Sequence, residues 1–472
     1  MKNYINIFKT LVFILFTMLI LSCSIDDIKP LYQLTEENVI RDEESAQQVL
    51  NGVYDLGREF DLSGFPLYLA AYGNEGVITG SLSGGKGYNS NEVPVDNPFL
   101  TSLYNGHYKI INSCNFLIKK LEEGAAKGIS DTRKNEMISE AKFQRAFAYF
   151  NLLRYFGQFY DVNSTYGVVL RTEFSTELVA APRNTVQEVY DFIQADLEFA
   201  VENGPQFIAH FYSGSLAAQA LLAKVHLYTG NYEAAATLAN QVINNTEGYA
   251  LEADYSAIFS NSYYSSEVIF APYSFSGQEG GSTMNLINRT SYSENLRSLA
   301  DVQVGAQDDG DLAATGSNYD PRFSFAYSEA TQGVNNQAKY PFMNNTSSQG
   351  NTLYHLRLAE IYLVHAEAEA RRPNGDLSVA LNSLNEIRNR AEVTPKALFD
   401  KSTLLEDVRQ EKLLELFFEN GEPWFDLVRY DVLQNIDATI VKPTITSEKQ
   451  FVLPIPLQVI IGNNKIEQNP NY

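Results

Sequence analysis

Cysteine is nearly missing from this 472-residue chain, and its two copies, Cys23 and Cys114, are too few for a disulfide framework. Tryptophan occurs once, at Trp424, so a ligand surface built from indole rings is excluded. The five histidines, His107, His210, His226, His355 and His365, include no pair one helical turn apart, which leaves a metal site without support. No phosphate-cradling loop, nucleophile elbow or clustered-cysteine signature is present, so no cofactor and no catalytic chemistry is expected. Basic residues are outnumbered, 35 Lys and Arg against 57 Asp and Glu. The net charge of -22 opposes general affinity for nucleic acid or anionic lipid and suits a neutral ligand better.

Long apolar runs are absent except near the N-terminus. There Lys2 and Lys9 precede the stretch from Leu11 to Leu21, interrupted by Thr17. It is too short for a hydrocarbon core of roughly 30 Å but has the length of a secretory signal. It ends Ile20-Leu21-Ser22-Cys23, which resembles a bacterial lipobox, so residues 1–22 are read as a signal peptide and Cys23 as the lipidated first residue of the mature chain. The alternative is a secreted soluble protein with a chance cysteine near its cleavage site. Ser24-Ile25-Asp26-Asp27 is similar to the acidic stretch that directs Bacteroidetes lipoproteins to the outer face of the outer membrane. Cys114 lies in line with Ile110, Ile111, Leu117, Ile118 and Leu121 on a helical stripe and is expected to be a core thiol.

The rest of the chain, residues 23–472, reads as one mainly α-helical domain. Apolar spacing predicts helices over 42–59, 104–122 and 136–157, the last greasy on most of its circumference and ended by Gly157 as a left-handed cap. Thr185 and Glu188 form a capping box that opens a helix ending at Gly204-Pro205. Between Ser215 and Asn245, Ala223, Gly230, Tyr232 and Ala235 fall at the positions favoured in tetratricopeptide helix pairs, with small residues letting the helices approach. Leu356 to Ala391 repeats the device with Gly375 and Ala380, so a helical-repeat scaffold is expected. A final helix is expected over 402–418, opened by Thr403 and Glu406, before an extended, proline-punctuated tail. Two long stretches lack any period, about 60–102 and 248–351, and both are rich in Tyr, Gly, Ser and Asn. Loops of that length are usually functional.

The helix RAFAYFNLLRYFG, Arg145 to Gly157, resembles the most characteristic helix of the SusD/RagB family, the surface nutrient-binding lipoproteins of Bacteroidetes. Further family motifs follow in order: Asp320-Pro321-Arg322-Phe323, Lys339-Tyr340-Pro341, Leu356 to Ala370, Leu384 to Ala391, Glu411 to Glu419, Trp424-Phe425-Asp426-Leu427, Leu453-Pro454-Ile455-Pro456 and the closing Gln468 to Tyr472. One departure is Pro423 after Glu422, where the family commonly has a basic residue, which puts a local salt bridge in doubt. The resemblance implies a SusD-like fold of four tetratricopeptide-like helix pairs carrying irregular ligand-binding loops. It also implies a SusC-like TonB-dependent transporter as partner, over which the lipoprotein sits as a lid, and an oligosaccharide or peptide as ligand.

Glu411, Glu415 and Glu419 share one helix face, and paired carboxylates are what glycoside hydrolysis requires. Hydrolases, however, set their carboxyls across a cleft on separate elements, so a glycoside hydrolase is the weaker reading. Trp424, beside Phe425 and Leu427, is expected in the core. Sugar rings must then be met by tyrosines, each offering an apolar face and a hydroxyl. The candidates, chosen for small polar neighbours, are Tyr72, Asn74 and Tyr88 in the first irregular stretch and Tyr263, Tyr264, Tyr273, Tyr292 and Tyr319 in the second.

Overall fold

The computed structural model describes residues 35–79, 85–260, 264–273, 290–301, 320–322, 339 and 353–472. The expected signal segment 1–22 and Cys23 lie outside them. In chain order the elements are α1 (Glu43–Leu56), α2 (Phe60–Ser63), α3 (Pro66–Tyr72), β1 (Gly76–Ile78), α4 (Pro98–Glu122), α5 (Asp131–Phe156) and α6 (Val186–Asn203). Next come α7 (Ser215–Tyr228), α8 (Tyr232–Ile243), α9 (Tyr255–Ser260), β2 (Val268–Phe270), β3 (Thr290–Tyr292), α10 (Glu294–Asp301) and β4 (Leu356–Arg357). The last are α11 (Leu358–Arg371), α12 (Leu377–Arg390), α13 (Lys401–Leu416), α14 (Glu422–Val432), α15 (Ala438–Val441), a 3₁₀ turn (Glu448–Phe451) and α16 (Leu457–Gly462). The architecture is thus the mainly helical one the spacing predicts.

Helix α5 is the axis of the core. From Met137 to Phe156 every residue except Lys142 and Phe147 is buried, because α4 and α6 pack along its sides and α1 and α7 against it. Its buried cations need partners in such surroundings. Arg145 donates to Asp196 of α6, Nε to Oδ2 at 2.7 Å, and Arg154 donates to Glu422 of α14 at 3.0 Å. The Arg154 guanidinium lies 4.2 Å from the Phe150 ring centre and 4.3 Å from that of Phe425. Glu422, next to Pro423, thus pairs with Arg154, and it also holds Lys224 at 2.6 Å. Gly157 does end the helix, but in an extended conformation, φ -112°, not the left-handed one expected. Glycine serves close approach there, since a Cβ would meet Leu153 Cδ1 at 2.7 Å and the Tyr166 carbonyl at 3.1 Å.

The two repeated helix pairs are α7 with α8 and α11 with α12, and α8 packs on α11. Gly230 turns the first pair with φ +76°, and a Cβ on it would meet nothing within 4 Å. Its use is the left-handed turn, not the close helix approach expected of it. Gly375 is the crowded one, because a Cβ there would collide with the Glu369 carbonyl oxygen. Ala235 is fully buried on α8, so Ala235→Leu is expected to overpack the crossing and cost about 1 to 3 kcal/mol. An unchanged urea midpoint would show that the crossing has slack. A second apolar cluster, including Ala359, Leu363, Leu384, Val408 and Tyr430, joins α11, α12, α13 and α14.

Helix α13 begins earlier than expected. Asp400 is its N-cap and accepts from the Thr403 amide at 2.7 Å, so Thr403 is inside the first turn. The first irregular stretch is also less irregular than its composition suggests, since it holds α2, α3, β1 and the start of α4. Pro98 at the first turn and Asn97 as cap, accepting from the Phe99 amide at 3.0 Å, open α4 six residues before the period becomes visible at Tyr104.

Candidate functional site

The two irregular stretches meet at a two-stranded antiparallel sheet. Strand β1 pairs with β3, Gly76 opposite Tyr292 and Ile78 opposite Thr290. Gly76 is required by the approach, since a Cβ would lie 2.4 Å from Phe418 Cζ and 2.9 Å from the Ser291 carbonyl. At the far end of β1 the Asn89 side chain completes the pairing, accepting from the Ile78 amide at 2.9 Å and donating to its carbonyl at 2.8 Å. At the near end the Ser293 amide donates to the Glu75 carbonyl at 3.0 Å. Residues more than 200 positions apart are thereby fixed side by side.

Four of the predicted ligand residues are buried, Tyr292 within the sheet itself and Tyr72, Asn74 and Tyr88 outside it. Tyr72 is fully buried, its hydroxyl donating to the Gln450 carbonyl at 2.8 Å and its ring edge-on to Trp424 at 4.8 Å. Tyr88 is fully buried between Phe65, Tyr68 and Tyr72, and burial pushes its hydroxyl well above the usual range. Asn74 is 3% exposed, and both its amide atoms lack a partner among the described residues. Tyr292 packs on Phe417 and Phe418. These four side chains are turned into the protein, away from the exposed position expected of a ligand contact: small polar neighbours mark a loop, but they do not say to which side its rings turn. Trp424, 2% exposed, is the core anchor expected.

Tyr264 and Tyr273 are placed otherwise. Tyr264 is 64% exposed. Tyr273 is half-buried, carries the Arg58 guanidinium 5.3 Å over its ring and meets Phe211 edge-on at 5.0 Å. Phe211 continues to Tyr212 at 4.8 Å and Tyr212 to Tyr54 at 5.1 Å, a row of contacting rings that sequence spacing could not reveal. Tyr263 and Tyr319 lie outside the described residues.

Beneath the sheet the carboxylate row is locked by cations. Arg322 spans Glu411 at 2.7 Å, Glu415 at 2.8 Å and Asp320 at 2.6 Å. Arg357 holds Glu419 at 2.7 Å, Glu415 at 3.0 Å and Glu267. Arg388 reaches Glu411 at 2.6 Å, and Arg390 reaches Glu267 at 2.6 Å and Glu415. Lys339 lies 2.8 Å from Glu419. Burial disfavours the charge on Glu415, but Arg390, Arg357 and Arg322 together hold its carboxyl well below the usual range. Such a carboxylate is neither a proton donor nor free to attack. Glu75 stands apart: burial pushes it up to about 8 against the opposing pull of the Phe418 amide, which donates to Oε2 at 2.6 Å, and of Lys339. Lys339 is itself pushed down to about 8 by burial. Among the described residues no group of three or more His, Cys, Asp and Glu is placed to hold a metal.

Two concavities complete the picture. A cavity of about 50 Å³ runs along α5 past Gln144 and Arg154 towards Tyr54 and Tyr273. An open groove of about 740 Å³ lies between α4, the segment 169–179 and α16, floored by Tyr104, Tyr108 and Val459. The ladder Tyr104, Tyr108, Asn112 at four-residue spacing was a readable signal for it.

Two family models match the chain: the SusD family over residues 322–472, and a SusD-like family described as starch-binding and associating with the outer membrane over residues 27–227. A SusD-like protein of Bacteroides ovatus is 26% identical over 380 residues, covering 70% of this chain and 65% of that protein. A SusD-like protein of Formosa agariphila is 25% identical, with both chains covered completely. Among solved structures, a SusD superfamily protein of Bacteroides thetaiotaomicron superposes with a TM-score of 0.76 at 25% identity, covering 91% of this chain and 100% of the other. One from Bacteroides vulgatus gives 0.75 at 23% identity, covering 92% and 100%. The two models together match residues 27–227 and 322–472, and with the helical scaffold and these relatives they place the chain in the SusD/RagB family.

Proposed function

We propose that this chain binds oligosaccharide at the cell surface and delivers it to a SusC-like TonB-dependent transporter, tethered to the outer membrane through lipid on Cys23. The mature chain from Cys23 to Tyr472 would act as one unit. The observation that carries the reading is the β1 and β3 pairing, which brings both tyrosine-rich stretches to one edge of a rigid helical scaffold. The description of one matching family as starch-binding and associating with the outer membrane supports the ligand class and the location. Among the described residues no helix is long and apolar enough to cross a membrane. The locked carboxylate row weighs against a glycoside hydrolase. A net charge of -22 keeps a cationic peptide as the second reading for the ligand.

The test is calorimetric titration of the mature protein with a panel of neutral oligosaccharides, with an assay for new reducing ends. Binding without turnover is the expected result. Turnover, or affinity for cationic peptides alone, would replace the reading. Tyr264 is the described candidate best placed to stack on a sugar, and Tyr264→Ala is expected to weaken binding several-fold, near the ~1 kcal/mol of an aromatic contact. Unchanged affinity would move the site away from this ring.

A further inference from the structure

The segment between α5 and α6 is tied down, yet it presents bare aliphatic side chains. Asn112 of α4 clasps it, donating to the Ser175 carbonyl at 3.0 Å and accepting from the Ser175 amide at 3.1 Å. Asn115 donates to the Arg171 carbonyl at 2.8 Å, and Arg171 donates to the Val179 carbonyl. On this braced loop Leu178 is 78% exposed and Val179 57% exposed. Beside it, Leu457 and Ile461 share one face of α16 at four-residue spacing, 38% and 67% exposed. The two elements adjoin, since a Cβ on Gly462 would lie 4.0 Å from Leu178 Cδ2. Exposed aliphatic side chains in such a group mark an interaction surface.

Where the chain enters the structure indicates what covers it. Thr35, the first described residue, and Glu36 line a concavity of about 520 Å³ whose wall includes Asn112, Phe174 and Thr176. The same three residues line the groove beside Leu178 and Val179. The stretch from Cys23 to Thr35 reaches no farther than about 40 Å even fully extended. The aliphatic patch is therefore on the side of the molecule from which a tether at Cys23 departs. Glu173 and Glu177 in the braced segment favour an uncharged surface over an anionic one.

We propose that Leu178, Val179, Leu457 and Ile461 insert into the headgroup and acyl boundary of the bilayer that holds the lipid anchor, a second membrane contact that fixes the orientation of the scaffold. The proposal rests on the reading of Cys23 as the anchor. Short aliphatic insertions of this kind add to one covalent anchor without spanning the membrane.

The test uses the full acylated protein in phosphatidylcholine vesicles, with Leu178→Cys carrying a nitroxide and Asn374→Cys as the exposed control. Cys114 is buried, and burial pushes its thiol up, so it stays unlabelled. The expected result is flotation of the protein with the vesicles, and at position 178 several-fold greater collision with oxygen and several-fold less with a water-soluble nickel chelate than at position 374. Flotation with a water-exposed label at 178 would overturn the proposal while keeping the anchor. Failure to float would remove the anchor reading and the proposal with it. A label shielded from both reagents, with a dimer in light scattering, would assign the patch to a second copy of the chain and equally overturn it.

Discussion

Arg357→Ala is expected to destabilise the protein by about 3 to 5 kcal/mol, the cost of removing one member of a buried ion cluster and leaving the others unpaired. Arg357 is 1% exposed and is hydrogen-bonded to Glu267, Glu415 and Glu419, none of which water reaches. Arg390 shares two of those carboxylates and Lys339 the third, so neutralisation would be partial. The loss arises from desolvated carboxylates and not from the bare worth of the contact, which is why a well-packed neutral replacement such as methionine is expected to cost less than alanine. The control is Lys134→Ala, whose partner Asp131 is 94% exposed and whose loss should cost under ~1 kcal/mol. Urea denaturation of the three variants checks this. Equal midpoints for Arg357→Ala and Lys134→Ala would mean that the cluster contributes no more than a surface pair.

Glu75→Gln is expected to raise stability by about 2 to 4 kcal/mol at pH 8 and to change little at pH 4.5. The sign follows from the upward shift. A carboxyl pushed from 4.5 to about 8 in the fold binds its proton more tightly there than in the unfolded chain. Its contribution is complete below the unfolded value and is lost as the pH rises through about 8. Glutamine is neutral throughout and keeps an oxygen for the Phe418 amide. Lys339, shifted from 10.5 down to about 8, runs the other way: its contribution is present above the unfolded value and lost as the pH falls through about 8, so it titrates at the upper edge of the window from 4.5 to 8, in parent and variant alike. His107 and His355, lowered by burial to about 4 and about 3, penalise acid pH in both proteins and cancel in the difference. A difference between variant and parent that stays flat across that window would show that Glu75 is ionised in the fold.

The long helices were legible because their apolar residues recur at helical spacing over several turns. Helix α5 was expected from 136 and starts at Asp131, where Ser130 caps it by accepting from the Arg133 amide at 3.1 Å. Helix α3 escaped because Pro66 to Tyr72 is buried on every side, which erases the period that exposes an amphipathic helix. Strands β1 and β3 escaped for a different reason: each is three residues long, and its partner lies more than 200 positions away. At the candidate site, composition located the two special stretches but not the orientation of their rings. Tyr72 and Tyr264 have similar small neighbours in the sequence, yet one is fully buried against Trp424 and the other 64% exposed. What separates them is contact with Gln450 and Trp424, far along the chain.

Order of synthesis gives the buried arginines a further meaning. Arg322 and Arg357 each have partners that follow them by tens of residues: Arg322 is 89 positions from Glu411, and Arg357 is 62 from Glu419. Contacts that close such long loops form late, and as the chain emerges from its N-terminus the carboxylate row is among the last parts to arrive. The Gln450 carbonyl that receives the Tyr72 hydroxyl arrives later still, 378 positions after it. The emerging chain therefore has the whole of its helical axis at α5 long before the last buried partners of Arg322, Arg357 and Tyr72 exist.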